Sequence, residues 1–466
     1  MTRSCKTFDT KGNIGRAFHL RNNQIVQSLS KDRVRDKFWQ KIIKNQQMKY
    51  KTGIHFFLIM TFQFIGREGL SQNMNSPYSI YGIGDIDFRP YNRTSGMGGT
   101  GIALRSSYFL IDNNPAAISG LPRSFFIVDA ALTGKVIRYK GDAINAENSN
   151  NKDFWIKRLA IAVKINNYWA SSIGFNQFSN VNYNFFGTKT VEGSATDYTT
   201  YYEGDGGLNE YFWTNAVSLG KHFSIGLKSS IIAGAINQTE TVADESLGST
   251  ISTKVQDYMG KARFQSGAIY STDLNKKWNI SIGGRFSPKV KMTSERTLTV
   301  LEGETPVIED EFIKNDRFSL PNTYATGFAI KHNNKTTFAV DYTYEDWSSL
   351  KIKEQGWQLI SSNRLSTGIE FSRQARVLNQ VVEKRFFQLG AFYNNSYLQV
   401  RNEPVKEFGF TAGMGGVLGK GLLYTLAIEA GSRGTTRQKL IKENYVQLSA
   451  SFSLREFLAS KGRKYD

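Results

Sequence analysis

The last strand-like stretch of the chain, Tyr445 to Leu454, reads YVQLSASFSL. Val446, Leu448, Ala450, Phe452 and Leu454 fall on one face, and Tyr445, Gln447, Ser449, Ser451 and Ser453 on the other. Strict alternation puts one face in an apolar phase and the other in water. Two arrangements satisfy this: a strand packed on a soluble core, or a strand with lipid outside and a wet lumen inside.

Counting such segments favours the second. Candidates lie near Phe125–Val136, Arg158–Ile165, Trp169–Phe178, Tyr211–Leu219, Phe223–Ala235 and Arg263–Tyr270. Others lie near Trp278–Phe286, Tyr324–Ile330, Thr337–Tyr344, Leu365–Ser372, Phe386–Tyr393, Phe408–Met414, Leu422–Gly431 and Tyr445–Leu454, fourteen in all. Most approach the about 9–11 residues that a tilted strand needs to cross a bilayer. Their connections alternate. Short ones such as Asn166–Tyr168 and Gly220–His222 take turns with long polar ones at Asn182–Glu210, Ile236–Ala262 and Ser287–Asn322. Trp169, Trp278, Tyr342, Tyr344 and Trp347 gather at strand ends, the pattern of an interfacial girdle. In lipid every peptide group must be paired within the protein, and a closed barrel does that without a free edge. The expectation is an all-β transmembrane antiparallel barrel of about fourteen strands.

Composition agrees. Phe (32), Tyr (22) and Gly (42) are abundant, and the mean hydropathy is −0.38, too polar for a bundle of membrane helices. The net charge of +19 by itself points to nucleic acid. Residues 1–47, however, hold 11 Lys/Arg against 3 Asp/Glu, which accounts for +8 of it. Met48 then opens MKYKTGIHFFLIMTFQFIG, with Lys49 and Lys51 ahead of an apolar run from Gly53 to Gly66. That is the form of a secretory signal peptide, expected over 48–72, with 1–47 an upstream extension absent from the mature protein. Cys5 falls in that extension, so the mature chain has no disulfide or thiolate.

RTSGMGGTGIAL, Arg93 to Leu104, carries Gly96, Gly98 and Gly101 at the G-x-G-x-x-G spacing, with Gly99 between. A dinucleotide loop needs a strand before it and a helix after it. Here DIDFRPYNRT precedes, and the following text breaks at Asn114-Pro115 and Gly120. The glycines read instead as close packing in a compact hatch over 73–122, ahead of a barrel over 123–454 and a polar tail over 455–466. No nucleotide, nucleic-acid or other cofactor site is expected.

The ordered set of Gly96–Gly101, Asn114-Pro115-Ala116, Leu320-Pro321 and DYTYEDWS from Asp341 to Ser348 resembles the FadL/TodX family of outer-membrane transport proteins. Within that resemblance Leu320, Pro321, Asp341, Tyr344, Asp346, Trp347 and Ser348 form a structural motif. The resemblance implies a fourteen-stranded barrel corked by its N-terminal hatch, hydrophobic ligands, and exit through a gap in the wall. The polar tail after the final strand departs from the family pattern, and so does the opening SPYSIYGIGD.

Alternation also assigns the lumen. Asp129, Lys228, Arg263, Arg285, Asp341, Glu370 and Glu429 point inward, because a Lys or Arg on the lipid face costs about 2–4 kcal/mol at mid-depth. Phe125, Ile127 and Ile269 point inward too. These ten either meet a ligand, cations at an anionic head and apolar groups at its tail, or pair with each other and the hatch. Of the four histidines only His222 and His332 lie in the mature chain, both in short turns, and no G-x-S-x-G or H-E-x-x-H is present. The functional expectation is a monomeric, non-enzymatic outer-membrane barrel in contact with lipid. It passes hydrophobic small molecules without an energy source. The alternative is a non-transporting barrel that serves as a surface binding or secretion scaffold.

Overall fold

The computed structural model describes residues 76–457, except 124, 143, 145–148, 191–196, 245–248, 315–317, 378–379 and 419–420. The expected extension (1–47), the signal peptide (48–72), the first hatch residues (73–75) and most of the tail (458–466) lie outside the described residues.

The barrel strands are β1 (Phe125–Lys140), β2 (Asn150–Lys164), β3 (Trp169–Gln177), β4 (Asp197–Leu219), β5 (Phe223–Asp244), β6 (Ser249–Asp273) and β7 (Trp278–Ser287). They continue as β8 (Thr323–His332), β9 (Thr336–Glu345), β10 (Ser362–Val377), β11 (Gln380–Val400), β12 (Glu403–Leu418), β13 (Leu422–Arg433) and β14 (Lys442–Phe457). Each pairs antiparallel with its neighbour in the chain. β14 returns to β1, with Phe125 opposite Phe457 and Lys140 opposite Lys442, so fourteen strands close. All fourteen segments picked out by alternation are barrel strands. The final strand also takes in Arg455–Phe457, which the sequence assigned to the tail.

Burial is inverted relative to a soluble sheet. Along β14, Val446, Leu448 and Leu454 are 42–56% exposed, while Gln447, Ser451 and Ser453 are 2–7% exposed. The outward belt of Leu, Ile, Phe, Tyr and Trp is one that water would not support and acyl chains would. The lumenal face carries the charges.

Strand length divides the barrel. β4, β5 and β6 run 23, 22 and 25 residues, whereas β7, β8 and β9 run 10 each. The excess rises beyond the belt at the end opposite the short turns. There it is flanked by Ser179–Thr190, paired with β4, and by the hairpin Thr293–Glu302/Thr305–Lys314, paired with β6. Much of each link read as a long polar loop is therefore ladder. Beyond the lipid neither face has to be apolar, so alternation no longer marks a strand.

Two ladders are interrupted. β6 pairs with β7 over Ser266–Asp273 and with Thr293–Glu302 over Ile251–Gly260, leaving 261–265 without a partner on that side. β2 pairs with β3 only from Arg158 to Lys164. Beyond that point a two-residue hatch strand, Asp85–Ile86, pairs with Asn180 and Ser179.

Candidate functional site: the hatch and the lumen

The hatch from Ser76 onward is a string of turns and short 3-10 helices, held because its polar groups find partners on the inner wall. On the β10–β14 side these are ion pairs. Arg93 opens the helix Arg93–Met97 and grips Glu370 with two nitrogens at 2.7 and 3.0 Å. The same guanidinium reaches Glu383 at 2.8 Å and lies over the Phe386 ring at 4.3 Å. Arg89 bonds Glu429 at 2.8 Å and also Glu407, and Tyr445 donates to both carboxylates. Asp85 pairs with Arg433 at 2.7 Å, and Asp87 with Lys157 of β2 at 3.0 Å. Burial would raise the Asp87 carboxyl, but Lys157 and Arg89 outweigh it and hold the group below its ordinary range.

On the β5–β9 side the hatch is seated by close approach. Asn114 caps Pro115–Gly120 by accepting from the Ala116 N–H at 3.0 Å. Its amide donates toward Ile102 O, Ala268 O and Gly284 O at 3.0–3.1 Å, tying the turn to itself and to β6 and β7. A Cβ on Gly267 would lie 2.0 Å from Asn114 Oδ1, and one on Gly226 would lie 2.4 Å from the Pro115 carbonyl carbon. Asn-Pro-Ala therefore fits only over a glycine patch. Next to it, Asp341 Oδ2 accepts from the Gly101 and Ile102 N–H groups at 2.6 and 2.9 Å.

The hatch glycines now have a use. Gly98 caps the helix Arg93–Met97 in the left-handed region (φ 67°), its N–H bonded to Thr411 Oγ1 at 2.7 Å. A Cβ there would stand 2.7 Å from Ala391 O. Gly96 packs on Gly413, Gly99 on Pro90, and Gly101 on Asn113.

All ten lumenal candidates point inward, and most already have partners. Asp129 meets Arg158 at 3.5 Å and accepts from Ser453. Lys228 meets Glu210 at 2.6 Å. Ile127 packs with Leu110, Ile118 and Leu121 of the hatch, and Ile269 with Ile111, Ala116 and Ala117. The Arg455 guanidinium lies over the Phe125 ring, 4.7 Å from the ring centroid. Arg285 donates to Asn113 O at 2.9 Å, and Arg263 to Thr323 Oγ1 at 3.1 Å. His222 and His332 stand at the short-turn end, where His332 packs on Trp278.

The motif from Asp341 onward is divided. Asp341 serves the hatch. Tyr344 donates to Ser361, as does Trp347 Nε1 to Glu345 at 2.7 Å. Asp346 accepts from Ser348 at 3.1 Å. Leu320 is buried, in a two-residue strand paired with Val290–Lys291, and Pro321 follows it into β8. Trp347 is 1% exposed and stacks on Tyr397 at 4.6 Å. Both belong to a dense apolar cluster with Tyr78, Ile83 and Ile86 of the hatch and Leu208 and Ile232 of the wall. This cluster fills the long-hairpin end of the lumen. Beneath it lies a cavity of about 210 Å³ lined largely by charged and polar groups, among them Arg158, Glu210, Lys228, Arg263, Arg285 and Arg364.

The sequence reading missed Asp85, Asp87, Arg89 and Arg93. The signal was available. Inward carboxylates at positions 370 and 429 need cations, and the hatch segment FRPYNR, Phe88 to Arg93, has two arginines.

No curated protein matches the chain. Among solved structures it is similar to the P. putida toluene transporter TodX, at 15% identity and a TM-score of 0.54 over 80% of this chain and 100% of that one. It is also similar to a TodX monoaromatic hydrocarbon channel deltaS2 mutant, at 12% identity and a TM-score of 0.51 over 82% and 100%. A Pseudomonas aeruginosa FadL homologue matches at 11% identity and a TM-score of 0.49 over 78% and 96%. At such identities the likeness to TodX is one of fold: the plugged barrel expected from the motifs is present. The family model that matches carries another name, BamG, and it spans residues 48–466, nearly the whole chain. The chain belongs to the BamG family.

Proposed function

We propose that the protein is an outer-membrane barrel whose lumen is given over to holding its hatch, and that it works as a binding scaffold presenting its outer sheet to a partner protein. The observation that carries this reading is how the lumen is filled. A packed apolar cluster around Trp347 and Tyr397 occupies the outer mouth. Ion pairs pin the hatch below it, and the cavity between is charged, not apolar. A hydrophobic solute has no chamber of its own among these residues. The strands that exceed the belt, β4–β6 with the hairpin 293–314, build the largest structure outside the lipid. On that sheet Phe186, Tyr201, Ile251, Val307 and Phe312 are about half or more exposed. To test this, the barrel is extracted in mild detergent with and without residues 293–314. A scaffold elutes with a stoichiometric protein partner that the deletion releases. Elution alone in both forms contradicts the reading.

The ladder breaks favour a second reading, energy-independent passage of hydrophobic small molecules with lateral exit. The cavity reaches both breaks, since Lys157, Arg158 and Gln177 line it at one and Arg263 and Gln265 at the other. In this reading the inward candidates Phe125, Ile127 and Ile269 would meet the solute once the hatch shifts. Proteoliposomes holding the barrel would then take up toluene or a fatty acid faster than empty vesicles. Equal rates would exclude it.

A further inference from the structure

Most of the buried lumenal cations are matched by a carboxylate. Arg89, Arg93, Lys157, Arg158, Lys228 and Arg433 each stand within 3.5 Å of a carboxylate. Arg263 of β6 and Arg285 of β7 have none among the described residues. Their Nε atoms are both buried and without a hydrogen-bond partner. Each spends one terminal nitrogen on a neutral oxygen, Thr323 Oγ1 at 3.1 Å and Asn113 O at 2.9 Å. Both line the 210 Å³ cavity. The carboxylates that share it are held by other groups: Asp87 by Lys157, Asp112 by Arg158, Glu210 by Lys228, Glu345 by Trp347 and Ser362, and Asp341 through Oδ2 by two hatch amides, its Oδ1 having no hydrogen-bond partner. Arg364, the other guanidinium there without a carboxylate, stacks on Phe392 at 4.4 Å and donates to Gly98 O.

Two guanidiniums facing one buried cavity with no carboxylate in direct contact are unfavourable, because each is withdrawn from bulk water and the carboxylates nearby compensate it only at a distance. An oxyanion removes that cost. It also suits the planar fork of donors that each arginine presents. We propose that Arg263 and Arg285 form a binding site for an oxyanion, a carboxylate or phosphate group, in the lumenal cavity. The chemistry has two sources. A lipid head group can enter where β6 lacks a partner over 261–265, the segment that contains Arg263. A small free anion can arrive through solvent.

The folded full-length barrel in non-ionic detergent is titrated with inorganic phosphate and, separately, incorporated into nanodiscs with and without dioleoylphosphatidylglycerol. The melting temperature of the heat-resistant electrophoretic form is the readout in both arms. R263Q/R285Q is compared with wild type, and Lys289→Gln, an exposed cation outside the cavity, is the control. Stabilisation by phosphate in wild type and K289Q, reduced at least tenfold in apparent affinity in the double variant, supports the site with a free anion as ligand. Stabilisation only by the anionic lipid, again lost in the double variant, supports it with a head group as ligand. Should the double variant fail to fold, R263K retains the charge but not the fork, and a several-fold weakening is expected from it. No stabilisation by either ligand, or equal stabilisation in wild type and every arginine variant, overturns the proposal.

Discussion

The two sides of the lumen hold the same hatch by different means. On the β10–β14 side the contacts are charged. Arg89 and Arg93 reach carboxylates on four positions of the wall, and Phe386 and Tyr445 close over them. On the β5–β9 side no ion pair joins hatch and wall among the described residues, and the contacts are steric or single hydrogen bonds: an Asn-Pro-Ala turn set on Gly226 and Gly267, and a pair of amides on Asp341. The first side resists separation because each ion left behind would be buried and unpaired. The second resists only through shape and a few hydrogen bonds. It also carries the unpaired arginines and one of the two ladder breaks. The difference suggests that the hatch is anchored on one wall and can be relieved from the other.

Removing an anchor should have the largest effect. R93A leaves Glu370 and Glu383 without their cation, and a loss of about 3–5 kcal/mol is expected for breaking such a buried group. Urea unfolding of the refolded barrel reads it, and a loss below 1 kcal/mol would make the two sides equivalent. On the other wall G267V drives a side chain into Asn114, whose Oδ1 is 2.0 Å from the added Cβ. About 1–3 kcal/mol is expected for overpacking. The variant should expose the hatch to protease while the barrel still resists heat. N114A removes a cap and the links to two strands, and about 1–2 kcal/mol is expected in the same assay.

Acid offers a smaller contrast. Asp87 is held below its ordinary range, so its share of stability is complete above the unfolded value of about 4. That share is lost as pH falls through the lower folded value. Wild type should therefore lose part of its stability at acid pH that D87N never had, and the two titration curves should converge at the acid end. The smallest effect belongs to Ser348, exposed at the start of a surface turn, where S348A should stay within about 0.5 kcal/mol of wild type.

Much of this was legible in the residues, for a physical reason. Lipid on one side and water on the other force period two on every spanning strand, so all fourteen could be counted. Asp341, Glu370 and Glu429 could be turned inward by the same rule. Outside the lipid the constraint lapses, and the long ends of β4–β6 and the hairpin 293–314 read as loops. The hatch has no period at all. Its glycines could be recognised as packing residues, but alternation does not say that Arg93 meets Glu370, because that contact joins positions 277 apart in the chain. The unpaired state of Arg263 and Arg285 is less legible still, since it appears only when every neighbouring carboxylate has been assigned.

The lumen is closed by a hatch anchored on one wall. Conductance across a planar lipid bilayer tests it most directly. Wild-type barrel should insert without a steady current, and R89A/R93A should show discrete openings at the same voltage. A stable open conductance from the wild-type protein, unchanged by those two substitutions, would contradict the account.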